Sequence, residues 1–243
     1  MLSSLAEWIV RAPAYPPSPA DARTFDLAGL RLPLRATIAI TVMVFAVLLD
    51  FNRTFIPDEL IAYDRNPGMM RLQAFDRLIL YGVVPLLVVV LVFRERPARY
   101  GVSLGDWRAG ATLAVVGCLV MTPIVIWFAA QADVVGYYAP SAGSLADVAL
   151  TNALDLFSAE FLLRGFLMFA LIRAIGPIGV LVATLPFVFS HLTKPELELL
   201  STLGGGMLYG WLAWRTGSIL WGAAAHTYIL TLLIVLAGAN AGR

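Results

Sequence analysis

Seven apolar stretches, separated by short polar segments, follow a polar lead of 35 residues. A helix that crosses the hydrocarbon core of a bilayer needs about 20 apolar residues, so each stretch is a candidate span. The first two are short, but Arg35, Arg77 and Arg94 flank them and can extend to the interface. The pattern predicts an all-α, polytopic transmembrane bundle of about seven helices, within a range of about 6–8. The stretches are Ala36–Leu49, Leu78–Phe93, Ala109–Ala132, Val148–Ile172, Ala174–Ser190, Leu197–Trp214 and Thr216–Asn240.

The composition supports the same class of protein. Hydrophobic residues make up 60% of the chain and charged residues 14%, with a mean hydropathy of +0.82. Soluble domains carry about 25% charged residues, so we expect the lipid bilayer to be the main partner. A net charge of +1 gives no basic surface for nucleic acid, and no such partner is expected. No fingerprint of a nucleotide, flavin or haem site is present.

The chain reads as one integrated membrane domain with three parts. Residues 1–35 form a polar tail, expected to be interfacial or disordered; residues 36–147 form the N-terminal membrane helices; and residues 148–243 form the helices of a core. With the N-terminus in the cytoplasm, the inside segments hold ten Lys and Arg residues and the outside segments hold six. Because basic residues concentrate on the cytoplasmic side, the sequence predicts a cytoplasmic N-terminus.

Ionisable residues inside the apolar stretches are the candidates for chemistry, because a charge in the bilayer core costs several kcal/mol. A rise of 1.5 Å per residue places Glu160 about 18 Å, His226 about 15 Å and His191 about 25 Å from the inner ends of their stretches. Three titratable groups on three helices therefore reach similar depths, which predicts a buried site. Polar residues near mid-span also bind helices to one another, and this second reading stays open.

The residue types allow more than one role. Glu160 and Arg164 are four residues apart in AEFLLRG and can form a structural ion pair or a functional one. Glu160 with the two histidines can activate water directly, with Glu160 as general base. The same three side chains can instead hold a divalent metal such as zinc with an open position. Asp155 lies about 140° around the helix from Glu160 and is expected to face another partner or the outer interface.

Three segments resemble the motifs of the CPBP intramembrane proteases, a family that includes the type II CAAX prenyl endopeptidases and the bacteriocin self-immunity proteins. The resemblance covers roughly residues 148–234, and the stretch HLTKPELE is similar to a bacterial branch of the family. It implies an integral protein of a bacterial inner (plasma) membrane. The segments are AEFLLRGF (Ala159–Phe166), FVFSH (Phe187–His191) and GSILWGAAAH (Gly217–His226).

Two positions depart from the motifs of the family. Ala159 stands where the family has the first of two glutamates, the one thought to activate water in the prenyl endopeptidases. Leu230 stands where an asparagine is expected, and an amide there would be an oxyanion donor or a histidine partner. Thr227 and Thr231 are the nearest polar residues that can compensate. Glu198, which follows His191 closely in sequence, is a hypothetical source of the missing carboxylate.

The resemblance implies an intramembrane endopeptidase that hydrolyses a peptide bond in a lipidated or membrane-embedded peptide or protein. Glu160 would be general base or metal ligand, and Arg164 would hold it. His191 and His226 would orient water, stabilise the oxyanion or bind metal. The departures at Ala159 and Leu230 favour an alternative, a non-catalytic binding or scaffold protein of the immunity type. A proton-coupled transporter is a third reading, against which the absence of evident repeats counts.

Overall fold

The computed structural model describes residues 7–11, 13–52 and 65–242. In these ranges a short hairpin precedes eight helices of seven or more residues, and shorter helical turns lie at residues 7–10, Pro97–Tyr100 and Ala139–Ser141. The elements are β1 (Thr24–Leu27), β2 (Leu30–Pro33), α1 (Leu34–Phe51), α2 (Pro67–Val92), α3 (Trp107–Phe128), α4 (Ala132–Tyr138), α5 (145–175), α6 (Ile178–Phe189), α7 (Glu196–Thr216) and α8 (Leu220–Asn240).

A helix lies over each of the seven apolar stretches, which confirms the helical membrane bundle. Within the described residues, four helices are long and apolar enough to cross a membrane: α1, α2, α3 and α8. Helix α6 is apolar but has only 12 residues, which is short of the length that a straight span needs. The number of crossings, seven, therefore stays a prediction.

Helix α5 forms the centre of the bundle. It runs as α-helix over Leu145–Glu160, widens into a π-helical turn over Phe161–Leu167 and returns to α-helix over Met168–Ile175. Residues 160–173 are all buried, because α1, α2, α6 and α7 surround this half while α8 covers the first half. A helix that is enclosed on every side is the core of its domain. Since π-helical turns often mark functional positions, this one directs attention to Glu160 and Arg164 at its start.

The described part of the lead, residues 7–11 and 13–35, is more ordered than an interfacial or disordered tail. Strands β1 and β2 pair antiparallel, from Thr24 opposite Pro33 to Leu27 opposite Leu30. Ala28 and Gly29 both have positive φ, 48° and 85°, as a tight two-residue hairpin turn requires. The difference from the expectation arises because each strand has only four residues, so its apolar alternation is too short to stand out beside the long apolar stretches.

Asp21 anchors this lead to the bundle. Its carboxylate accepts hydrogen bonds from Arg35 at 2.8 Å, from Ser18 at 2.7 Å and from Arg99. Burial raises the pKa of Asp21, but these donors outweigh it and bring that pKa to about 2 from its usual value of 3.8. Tyr15 adds a second anchor by donating its hydroxyl hydrogen to the carbonyl oxygen of Trp214.

Candidate active site

Glu160 occupies the middle of the bundle, and its side chain is only 2% exposed. Its Oε1 accepts a hydrogen bond from Arg164 Nη1 at 3.3 Å, one turn along α5. His226 Nδ1, on α8, lies 3.0 Å from the same oxygen. A carboxylate can only accept hydrogen bonds, so the His226 proton resides on Nδ1 and leaves Nε2 as an acceptor. The structure thus brings three of the predicted site residues together.

Arg164 is as deeply buried as Glu160, with 1% of its side chain exposed. Its guanidinium lies 4.2 Å from the centre of the Phe187 ring, on α6. Within the described residues Nη2 has no hydrogen-bond partner. An unsatisfied buried donor costs about 1–3 kcal/mol, and more when charged, so its retention points to a role in binding. This nitrogen is the one free cationic donor next to Glu160 in the described part of the chain.

His191 lies beyond Phe187 and not beside Glu160. The Phe187 ring packs against the His191 imidazole, one helical turn away, with centroids 4.4 Å apart. His191 Nδ1 lies 2.7 Å from the Phe187 carbonyl oxygen and 3.0 Å from Ser190 Oγ. Because a carbonyl only accepts, Nδ1 carries the hydrogen here too and Nε2 is free. Among the described residues, no hydrogen bond or ion pair joins His191 to Glu160.

Tyr209, on α7, completes the wall around His226 and was missed by the sequence reasoning. Its ring stacks on the imidazole with centroids 4.7 Å apart and planes inclined by 17°, while the Phe187 ring meets the imidazole edge-on at 5.8 Å. The two aromatic rings fix the plane of His226. The only signal in the sequence was an aromatic residue inside the glycine-rich run from Gly204 to Gly210.

The close approach of α7 depends on Gly206. A Cβ atom built there would lie 2.8 Å from Thr184 Cγ2, 2.9 Å from Phe187 Cδ1 and 3.5 Å from Arg164 Nη2. A Cβ atom built on Gly210 would likewise lie 2.9 Å from Val180 Cγ1, on α6. The small residues at these two positions therefore let α7 approach α6 closely, which places α7 directly against the candidate site.

Glu198 belongs to a different cluster. Its carboxylate accepts hydrogen bonds from the Tyr138 hydroxyl at 2.6 Å and from Lys194 Nζ at 2.9 Å, and Lys194 also donates to that hydroxyl at 2.6 Å. In the described residues it forms no hydrogen bond with Glu160, Arg164 or His226. The geometry therefore gives no support to Glu198 as the source of the missing carboxylate, because its oxygens are already engaged.

The two departures from the motifs lie on other packed surfaces. Ala159 packs against the larger hydrophobic core, and Leu230 packs against a second core that includes Val125, Leu233 and Ala237. Thr231 accepts a hydrogen bond from Asn152 Nδ2 at 3.1 Å, so its hydroxyl is already engaged.

Asp155 has the separate partner that its helix position predicts. Arg77 binds both of its oxygens, at 3.0 and 3.1 Å, and also binds Asp50 at 3.1 Å. Tyr81 donates to Asp50 at 2.7 Å. This network ties α1, α2 and α5 together outside the candidate site.

The arrangement does not fit a metal centre. Over the ranges 7–11, 13–52 and 65–242, no group of three His, Cys, Asp or Glu side chains is placed to hold a metal ion. Among the described residues His191 Nδ1 contacts the Phe187 carbonyl oxygen and Ser190 Oγ, and it has no hydrogen bond to Glu160 or His226. The three residues therefore do not form the ligand set that the zinc alternative needs.

Fold and site together define a helical membrane protein with a buried glutamate, arginine and histidine on packed helices. The model of a family described as type II CAAX prenyl endopeptidase Rce1-like matches residues 141–232, which include all the candidate site residues. Over this segment the chain is similar to the CPBP family, and the match supports the resemblance of the three motifs. Searches of curated proteins and of solved structures gave no match.

Proposed function

We propose that this protein is an intramembrane endopeptidase that hydrolyses a peptide bond with a water molecule activated by the Glu160–His226 pair. The observation that carries the proposal is the 3.0 Å contact between Glu160 Oε1 and His226 Nδ1 inside a buried site. A buried carboxylate that orients an imidazole is the arrangement by which proteases hold a histidine base. The family match supports a hydrolase of this kind.

The tautomer of His226 determines the path of the proton during hydrolysis. His226 Nε2 takes a proton from water while the water oxygen attacks the carbonyl carbon of the substrate. Glu160 stabilises the imidazolium that forms, which then gives the proton to the leaving amide nitrogen as the C–N bond breaks. His226 is the better candidate to meet water, because 14% of its side chain is exposed against 2% for Glu160. Glu160 thus changes from the predicted base to the orienting partner.

Arg164 Nη2 is the proposed donor to the developing oxyanion. It is cationic, buried and without a partner among the described residues, and it lies beside Glu160. Removing one oxyanion donor typically lowers kcat about 10²–10³-fold. This donor would replace the asparagine amide that the family motif has at the position of Leu230. His191 Nε2, an acceptor on the other side of Phe187, is proposed to receive an N–H of the substrate backbone.

The substrate is proposed to approach from the lipid. An apolar groove of about 560 Å³ runs between α5 and α8, the helices that carry Glu160 and His226. Its lining includes Ala153, Phe157, Ala223 and Tyr228, and only the threonine and tyrosine hydroxyls add polarity. Such a surface suits a membrane-embedded peptide or a lipid-modified one. A prenylated substrate is proposed by analogy with the family alone.

Terminal-peptide proteomics tests the proposal. Membranes from cells that express wild-type protein, Glu160→Gln or His226→Gln at equal levels are compared, with the exposed Glu196→Gln as a matched loss of one carboxylate. We expect new peptide termini with wild type and Glu196→Gln only. The same set of termini in all four samples would contradict proteolysis and would favour a binding or scaffold protein.

A further inference from the structure

A second cavity lies at the opposite end of the molecule from the Glu198 cluster, where α1 begins and α2 ends. It has a volume of about 480 Å³ and mixes cationic and apolar lining: Arg23, Arg35, Arg94, Ile38, Leu91 and Val92 are among its residues. Both helices are candidate membrane spans, so their ends mark the boundary between hydrocarbon and headgroups. The cavity therefore lies where the headgroup of a lipid would lie.

The three arginines differ in their hydrogen bonds and ion pairs. Arg35 forms the base of the cavity and is fully engaged by Asp21, by Glu95 at 2.8 Å and by the Phe93 carbonyl oxygen. Arg23 and Arg94 are exposed, and in the described residues neither makes an ion pair or a side-chain hydrogen bond. Two cations without counter-ions at the mouth of one cavity form a ready site for an anion.

The backbone of Arg94 supplies an independent observation. Its φ is +55°, in the left-handed region, at the residue after the last turn of α2. Glycine is the usual residue at such a helix end, because a Cβ atom is strained there. Non-glycine residues held in this conformation cluster at ligand sites. The arginine side chain is kept at a position where glycine would be less strained, which indicates a use for its charge.

The apolar side of the cavity continues onto the outer surface of the bundle. Leu91 and Val92 are 64% and 59% exposed, so they face hydrocarbon in a membrane. A ligand seated here would meet guanidinium groups at one end and aliphatic side chains at the other. A free inorganic anion would use only the first of these features, whereas an anionic phospholipid would use both.

We propose that this cavity binds the headgroup of an anionic phospholipid, with its phosphate between Arg23 and Arg94 and its acyl chain along Ile38 and Leu91. The site is distinct from the Glu160 site and does not depend on the proposed proteolysis. Because Arg23 directly precedes β1 and Arg94 follows the end of α2, a bound lipid would hold the N-terminal lead against the bundle. The lipid thereby becomes part of the fold at this end.

Native mass spectrometry of the full-length protein tests the site. Wild type, Arg23→Gln, Arg94→Gln and the double variant are purified with phosphatidylglycerol or phosphatidylcholine. Arg96→Gln removes the same charge from an exposed residue that does not line the cavity. We expect one phosphatidylglycerol to remain on wild type and on Arg96→Gln. Each cavity variant should lose affinity roughly fivefold, since a basic residue at an anionic membrane surface contributes about 1 kcal/mol.

A further variant and a competing anion distinguish a specific lipid site from an effect of general surface charge and from a site for a free anion. Arg94→Gly relieves the strained backbone, so after removal of lipid it should melt no lower than wild type treated in the same way, while it no longer retains added phosphatidylglycerol. Equal losses in Arg96→Gln and in the cavity variants would overturn the proposal, because only the general surface charge would matter. Retention of the lipid by the double variant would overturn it too. Displacement by inorganic phosphate would show a free-anion site and refute the lipid.

Discussion

Gly206→Ala measures how tightly α7 packs against the candidate site. The new Cβ would lie 2.8 Å from Thr184 Cγ2 and 2.9 Å from Phe187 Cδ1. Carbon atoms in ordinary contact are about 3.5–4.0 Å apart, so the neighbours must move by roughly 0.6 Å or more. Phe187 also touches His191, His226 and the Arg164 guanidinium. A shift of the Phe187 ring would therefore displace the side chains of the candidate site.

The change in the free energy of unfolding caused by Gly206→Ala is the sum of two opposing effects. Overpacking a closely packed contact costs about 1–3 kcal/mol. Replacing glycine by alanine in a helix recovers about 1 kcal/mol. We therefore expect Gly206→Ala to lower the free energy of unfolding by about 0–2 kcal/mol. A misplacement near 1 Å can cost about 10²-fold in rate, so cleavage should fall about tenfold or more.

Gly205→Ala is the matched control, because nothing lies within 4 Å of a Cβ built there. It keeps the gain in helix propensity without the clash, so stability should rise by about 0.5–1 kcal/mol with cleavage unchanged. Thermal unfolding in detergent and the cleavage rate are measured for both variants. If Gly206→Ala behaved like Gly205→Ala in both assays, the close packing of α7 on Phe187 would be refuted.

Three other predictions follow from single contacts. Arg164→Met leaves Glu160 buried without its cationic partner and should destabilise the protein by about 3–5 kcal/mol, more than Arg164→Lys; equal melting of the two would contradict the ion pair. Asp21 titrates at a lower pH folded than unfolded, so its stabilisation is present above about pH 4 and is lost as the pH falls towards 2. Protease sensitivity of the hairpin should therefore rise on acidification in wild type and be constant in Asp21→Asn. Glu198→Gln weakens the contact with Lys194 and should lower the melting temperature but spare cleavage; loss of cleavage in a folded variant would restore Glu198 to the site.

Much of the fold followed from the sequence because one physical signal dominates it. Runs of apolar residues long enough to be helical gave the bundle, and helices lie over all seven. The hairpin escaped because its two strands have four residues each, so their alternation of apolar and polar residues is a weak signal beside the long apolar stretches. The π-helical turn in α5 escaped for a related reason, since one extra residue per turn does not alter composition.

The candidate site was predicted in part. Glu160, Arg164 and His226 were found because an ionisable residue in an apolar helix needs a partner, and they are in contact. Equal depth was a weaker guide, because His191 Nδ1 contacts the carbonyl oxygen of Phe187 and not Glu160. Glu198 pairs with Lys194 and Tyr138, and its role in the site stays a prediction. Which face of a helix meets which neighbour depends on side-chain packing, and this packing cannot be read from the hydrophobic pattern of a single sequence.

A double-mutant cycle on Glu160 and His226 tests the central claim most directly. Cleavage of a substrate peptide from the terminal-peptide experiment is measured for Glu160→Gln, His226→Gln and the double variant, each with a wild-type thermal unfolding profile. If the two residues act as one unit, each single variant loses about 10³–10⁴-fold and the double variant loses little more. Losses that multiply in the double variant, or a His226→Gln protein that retains a tenth or more of the wild-type rate, would contradict the account.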